Sequence, residues 1–105
     1  MSPFIALHAT RRACRHSILH LGLLRSQPNR GQPYGIYVYR QDDSIDHQVW
    51  LKTFEAIHCR WAGQPPQDIW MVAYIGPMCE DQYVTNGMVL LQDCPQVTLV
   101  TGNKW

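Results

Sequence analysis

The chain has 105 residues, of which 46% are hydrophobic and 16% are charged, and its formal net charge is +1. This length predicts one domain, residues 1–105, with a single modest core, and this composition excludes a disordered chain. No apolar run approaches the roughly 18 residues that cross a bilayer, and the run FIALHA lacks a basic leader, so we expect neither a membrane span nor a secretory signal.

The four cysteines are far apart along the chain and form no CxxC pair. This spacing predicts reduced thiols in a cytoplasmic protein and does not support a zinc site built on paired cysteines. The residues concerned are Cys14, Cys59, Cys79 and Cys94.

Charge is distributed unevenly along the chain. Residues 1–41 carry six arginines and no acidic residue, whereas residues 42–105 carry eight acidic residues and three basic ones. One interpretation is two solvated surfaces that attract one another across the fold. The other is a basic wall that receives phosphate, opposite an acidic element that handles a positive centre.

The first elements are a short strand and a basic helix. The run FIALH (residues 4–8) is typical of a buried strand, and Thr10 is a candidate N-cap for a helix over residues 11–21. Gly22 stands where a left-handed C-cap belongs. The apolar positions of this helix, spaced by four and three residues, are Cys14, Ile18 and Leu21.

A loop and a second strand follow the basic helix. Residues 25–35 contain proline, glycine and asparagine, which indicates a loop. The run GIYVYR (residues 35–40) alternates in the manner of a strand and puts Tyr37 and Tyr39 on one face.

A longer helix is predicted to open at residues 42–44 (DDS) and to end at residues 62–66 (AGQPP). Its apolar positions recur at helical spacing, which predicts a stripe that faces the core. The stripe consists of Ile45, Val49, Trp50, Phe54, Ile57 and Trp61.

The second half of the chain is rich in strand signals. DIWMVAYIG (residues 68–76) predicts a strand, PMCEDQYVTNG (residues 77–87) predicts a loop, and residues 88–92 and 97–101 predict two short strands. The resulting order, β-α-β-α-β-β-β, favours an α+β fold over a doubly wound sheet.

Three motifs stand in a characteristic order. LHAT (residues 7–10) ends the first strand before a helix ending SILHLGL, GIYVY (residues 35–39) forms the next strand, and the acidic loop GPMCEDQYVTN (residues 76–86) follows the long strand. This order resembles the histidine–tyrosine–acid branch of the ADP-ribosyltransferase superfamily, whose members carry H-G-T or H-A-T, ILxxGL and GVYLT. The acidic loop is most similar to the GPxEDDPNVT stretch of small bacterial rifamycin ADP-ribosyltransferases.

The resemblance implies a fold and an activity. The fold is a single α+β domain in which two short, mainly antiparallel sheets form an NAD cleft flanked by two helices. The activity is transfer of ADP-ribose from NAD to an acceptor with release of nicotinamide, and no metal is expected. The acceptor stays open between a protein, a nucleic acid and a small molecule, as does the oligomeric state.

The resemblance also implies roles for individual residues. His8 binds the ribose next to nicotinamide, and the ring of Tyr37 stacks on nicotinamide, with Tyr39 as the alternative. Asp81 stabilises the positive charge that builds on the ribose in the transition state. The neighbouring Glu80 is the other candidate for the catalytic acid.

Further residues are expected to bind NAD. Main-chain groups of Ala9 would hold the carboxamide, and Thr10 matches the third position of the histidine motif. Arg11, Arg12 and Arg15 lie near a predicted helix N-terminus, where charge and free amides together favour a pyrophosphate.

Three other functions are compatible with parts of the sequence. A non-catalytic module of the same fold would use the basic first half to bind an acidic protein or a nucleic acid. RNA 2′-phosphotransferase chemistry ranks last. A metal site of Cys14, His16 and His20 is disfavoured, because no further ligand is clearly aimed at that helical face.

Overall fold

The computed structural model describes residues 3–28 and 30–101, which form one six-stranded antiparallel sheet with a helix on each face. The strands are β1 (Phe4–Thr10), β2 (Ile36–Arg40), β3 (Asp68–Tyr74), β4 (Met78–Glu80), β5 (Gly87–Leu90) and β6 (Thr98–Thr101). The helices are α1 (Arg15–Leu21), preceded by a 3₁₀ turn (Arg12–Cys14), and α2 (His47–Ala62). Neither helix is long and apolar enough to cross a bilayer.

The α+β class is confirmed, but the expectation of two sheets is wrong. The strands form one sheet in the order β4-β5-β2-β1-β3-β6, because β1 pairs with β2 on one side and with β3 on the other. The two pairings differ in extent. β1 pairs with β3 from Phe4 to Thr10, but its pairing with β2 ends at Leu7. From His8 onward no ladder bond joins the two central strands.

Each face of the sheet carries its own core. On one face, Ile18 of α1 packs with Ala6, Val38 and the fully buried Trp70. The other face is covered by α2, whose residues pack on Leu7 and Ile69. Because side chains of a strand point alternately to opposite faces, consecutive β1 residues serve both cores.

The basic helix starts later than its sequence predicts, and Thr10 is not its N-cap. Thr10 is the last residue of β1, and its hydroxyl oxygen accepts a hydrogen bond from Nε1 of Trp70 at 2.8 Å. The hydroxyl is therefore used inside the sheet, and α1 begins only at Arg15. It ends at Gly22 as predicted, and the Gly22 amide donates to the Ile18 carbonyl. The expected left-handed cap is wrong, because the φ of 78° at Gly22 is combined with an extended ψ of −168°.

The long helix also begins later than predicted. The carboxylate of Asp46 accepts a hydrogen bond from the amide of Gln48 at 2.8 Å and caps α2. Asp42 instead closes a local turn, because its carboxylate accepts bonds from the amide and the hydroxyl of Ser44. This turn competes with a helix at the predicted start.

Two positions of the predicted α2 stripe are exposed. Trp50 and Phe54 are buried as expected, but Val49 is 51% exposed and Trp61 is 65% exposed. Leu51 is buried, so the packed face is rotated away from Val49, which lies about 100° around the helix from Trp50. Trp61 lies in the last turn of α2 and lines a cavity instead of packing in the core.

The predicted loop 77–87 contains a strand. β4 pairs with β5 in a hairpin, and the amide of Asp81 donates to the Gly87 carbonyl at the base of the turn. Asn86 enters the left-handed region with a φ of 64°. This hairpin adds a strand to the predicted order and holds the acidic residues at the sheet edge.

Ion pairs join the basic and the acidic halves of the chain. Arg15 binds Asp68, which is fully buried at the start of β3, and Arg25 binds the exposed Asp93. Attraction between the two halves, the first interpretation of the charge pattern, is therefore present in the fold.

Candidate functional site

A cavity of about 380 Å³ opens on the α2 side of the sheet, where pairing between β1 and β2 ends. Its wall includes four residues expected from the sequence: His8, Ala9, Tyr37 and Asp81. Its volume lies within the range of about 300–1,000 Å³ that is typical of ligand sites. Three side chains far apart in the sequence therefore meet at one space.

His8 lines this cavity and is bound to the main chain through one ring nitrogen. Its Nδ1 lies 2.5 Å from the main-chain carbonyl oxygen of Tyr37, and because a carbonyl only accepts, Nδ1 carries the proton. Burial lowers the pKa of His8, the bond to Tyr37 opposes this change, and a charge on His58 lowers the pKa further. The ring is therefore neutral at physiological pH, and Nε2 keeps its lone pair.

Tyr37 is held by its hydroxyl, which leaves its ring as the functional surface. The hydroxyl donates to the carbonyl oxygen of Pro33 at 2.6 Å. Burial raises the pKa of Tyr37, and the charges of Asp81 and Cys79 raise it further. The phenol thus stays protonated and anchored, and the ring presents a flat aromatic face.

Asp81 is positioned by the turn between β4 and β5. Its Oδ1 accepts a hydrogen bond from the amide of Tyr83 at 2.9 Å, so one carboxylate oxygen orients the group. Gly87 lies directly beneath it: an added Cβ would stand 2.9 Å from Cβ of Asp81 and of Val84. Position 87 must therefore be glycine, because any side chain there would force Asp81 and the turn to shift.

Glu80 occupies a different surface. It is exposed, pairs with Met88 in the hairpin and does not line the cavity. It lines a neighbouring groove of about 280 Å³, which shares Tyr37 and Asp81 with the cavity. The structure therefore brings Asp81, and not Glu80, to the cavity of His8.

Tyr39 and Thr10 have structural partners. Tyr39 is 6% exposed and stacks on Phe54 with ring centroids 5.8 Å apart, so its ring belongs to the core. Thr10 is bound to Trp70. The structure therefore offers Tyr37, and not Tyr39, as the stacking surface of the cavity.

The three expected pyrophosphate-binding arginines lie elsewhere. Arg15 makes a two-point ion pair with Asp68, from Nε at 2.9 Å and from Nη2 at 2.5 Å. Arg11 and Arg12 are exposed, and the amide of Arg12 donates to the side chain of Gln67. Among the residues that the structure describes, no arginine or lysine lines the cavity.

The sequence analysis missed the contribution of α2 to the cavity. Three α2 residues line it, namely Phe54, His58 and Trp61. Tyr83 lines it too, with its ring centroid 6.5 Å from that of Trp61. Their spacing of four and three residues places the α2 residues on one helical face. That spacing is the available signal: the predicted core stripe includes Phe54 and Trp61, but it does not include His58.

Within the described ranges, no group of three histidine, cysteine or acidic side chains could hold a metal ion. His16 and His20 of α1 are both exposed.

Comparison of the chain with known protein families, with curated proteins and with solved structures gives no significant match. The chemistry of the cavity is therefore the basis for inferring a function.

Proposed function

We propose that this protein is an NAD-dependent ADP-ribosyltransferase, which transfers ADP-ribose from NAD to an acceptor and releases nicotinamide. The single observation that supports this function most is the convergence of His8, Tyr37 and Asp81 on one cavity. These residues are an imidazole, a phenol ring and a carboxylate from three separate segments. A structural role for each of them would not require a shared space.

The side chains fit the nicotinamide riboside end of NAD. When bound, NAD supplies a ribose whose bond to nicotinamide can break. The ring of Tyr37 offers a flat face for nicotinamide. Nε2 of His8 accepts a hydrogen bond from a ribose hydroxyl, and the main chain of Ala9 lies beside them.

Asp81 supplies the electrostatic part of catalysis. Its carboxylate is fixed by the amide of Tyr83 before the reaction, so it needs no reorientation when positive charge builds on the ribose. A group that is oriented beforehand stabilises the transition state more than the ground state. The pyrophosphate is expected to lie outside the cavity, because no cation among the described residues lines it.

The non-catalytic alternative has less support. An interaction module would need its basic half free for an acidic partner, but Arg15 and Arg25 are paired with Asp68 and Asp93 within the fold. The chain thus neutralises part of its own positive charge.

The proposal is tested by thermal unfolding and by product analysis. Millimolar NAD or nicotinamide should raise the Tm, and RNA should not, because a ligand stabilises only the state that binds it. Incubation with NAD should release nicotinamide and add ADP-ribose to a component of a cell extract, detected by mass spectrometry. Stabilisation by RNA alone, with no cleavage of NAD, would favour the interaction module and overturn the proposal.

A further inference from the structure

A second imidazole, that of His58 in α2, lines the cavity. His58 is not part of the LHAT motif that contains His8. His58 lines the cavity together with Tyr37 and Asp81, and the same three residues also line a smaller adjoining recess. Its ring contacts that of Phe54, with centroids 6.4 Å apart. It is close enough to His8 for a charge on His58 to lower the pKa of His8.

The surroundings keep His58 in its neutral form. Burial lowers the pKa of His58. The titratable groups that share the cavity with it are His8 from β1, Tyr37 from β2, and Asp81 and Tyr83 from the turn after β4. Asp81 is the only acidic residue among them, and burial lowers the pKa of His8 and raises that of Tyr37, which favours the neutral form of both. A neutral imidazole that shares a cavity with a carboxylate is able to accept a proton.

The neutral imidazole of His58 and the carboxylate of Asp81 together favour one class of acceptor. An anionic acceptor such as a carboxylate needs no base, would be repelled by Asp81, and meets no cation among the described lining residues. An uncharged hydroxyl acceptor needs a base, because it must lose its proton as it attacks. The residues of the cavity therefore suit a hydroxyl, of which water is the simplest example.

We infer that His58 is the base that takes the proton from an uncharged hydroxyl acceptor, within the transfer reaction proposed above. The acceptor oxygen forms a bond to the ribose C1′, and the bond from C1′ to the nicotinamide nitrogen breaks. The bonding electron pair returns to the nicotinamide ring and neutralises its positive charge. The hydroxyl proton passes to a ring nitrogen of His58 and then to solvent, so charge and atoms balance.

A comparison of two nucleophiles, water and azide, distinguishes a role of His58 as a base from a structural role. Water must lose a proton as it attacks, whereas azide is already an anion and needs no base. We expect His58→Gln to reduce formation of ADP-ribose from NAD and water by about 100-fold. Asp81 repels azide equally in the wild type and in the variant, so at a high azide concentration the formation of ADP-ribosyl azide should change less than about threefold between them, because that step does not use the base. His47→Gln is the matched control: this exposed histidine of the same helix does not line the cavity.

A measurement without turnover tests the contact directly. ADP-ribose carries a hydroxyl at C1′, so it places an acceptor-like oxygen beside His58. In the NMR spectrum of the wild-type protein, ADP-ribose should shift the ring signal of His58 and leave that of His47 unchanged.

The outcomes distinguish this inference from the proposed function. If the wild type cleaves NAD but His58→Gln loses the water and azide reactions equally, or loses neither, His58 is not the base while the transferase proposal stands. An unshifted His58 signal at saturating ADP-ribose would also reject the role of His58. A wild type that neither binds nor cleaves NAD overturns both.

Discussion

The imidazole of His8 bonds through Nδ1 to the main-chain carbonyl oxygen of Tyr37, which lies on the neighbouring strand 2.5 Å away. This side-chain bond follows directly after the last main-chain pair between the two strands, Leu7 with Tyr39. It therefore holds β1 and β2 together where the ladder has stopped. The same bond fixes the tautomer of His8 and joins two candidate site residues.

Replacing Asp81 tests the acid of the site. Asp81→Asn keeps an oxygen that can accept the Tyr83 amide but removes the negative charge, so the fold and most NAD binding should remain. Transfer should fall by about 100-fold or more, since the charge acts in the transition state. Glu80→Gln is the control, measured by nicotinamide release. If Glu80→Gln were the inactive variant and Asp81→Asn nearly normal, the catalytic acid would be Glu80.

Two substitutions at Tyr37 separate its ring from its hydroxyl. Tyr37→Phe keeps the aromatic face and loses only the bond to Pro33, so it should cost less than about 1 kcal/mol in the free energy of unfolding and leave NAD affinity nearly unchanged. Tyr37→Ala removes the stacking surface and should weaken nicotinamide binding at least tenfold, measured by calorimetry. Equal affinities of the Phe and Ala variants would show that stacking is not its role.

Gly87→Ala should disturb the site through Asp81. The new methyl group would stand 2.9 Å from Cβ of Asp81, so the turn must shift, and we expect a loss of about 1–3 kcal/mol in the free energy of unfolding and a clear drop in transfer. Gly63→Ala is the matched control. At Gly63 the φ is 77° and the surroundings are open, so strain of about 1 kcal/mol should arise without any effect on transfer. Normal transfer by a folded Gly87→Ala variant would contradict the positioning of Asp81.

The two ion pairs should differ in their effect on stability. Arg15→Met removes the ion-pair partner of the fully buried carboxylate of Asp68, and removal of one partner from a buried ion pair costs about 3 kcal/mol in the free energy of unfolding. Arg25→Met removes a pair in which both side chains are exposed, so its effect should be much smaller. Urea unfolding measures both. Similar losses of stability for the two variants would indicate that the carboxylate of Asp68 is not buried.

Stability should depend on pH through the cavity histidines. The pKa values of His8 and His58 in the fold lie below 6.5, chiefly because of burial. As the pH falls below about 6.5, the unfolded chain therefore binds more protons than the folded protein. The free energy of unfolding has its full value above this pH, and it decreases as the pH falls toward the lowered pKa values of the folded state.

This pH dependence can be assigned by substitution. Urea unfolding of the wild type between about pH 5 and pH 8 should show the decrease, and His58→Gln should reduce its slope. A His58→Gln variant with the slope of the wild type would indicate that His58 is not buried in its neutral form.

Local signals in the sequence were sufficient for most elements. The β1 and β3 strands, Gly22 at the end of α1 and the buried Trp50 and Phe54 all follow from apolar periodicity and end signals. Errors arose where partners distant in sequence decided the outcome. Thr10 bonds to Trp70 in place of capping a helix, and residues 78–80 form a strand only because β5 lies beside them.

The sequence by itself determined the α+β class, the uneven charge and the presence of an imidazole, a phenol and a carboxylate beside predicted strands. Only the tertiary structure decided that His8, Tyr37 and Asp81 share a cavity. It also decided that Arg15 forms an ion pair with Asp68 and that His58 of α2 lines the cavity. The physical reason is that side-chain spacing within an element sets which face a residue lies on. Which other element covers that face depends on pairing and packing between segments far apart in the chain.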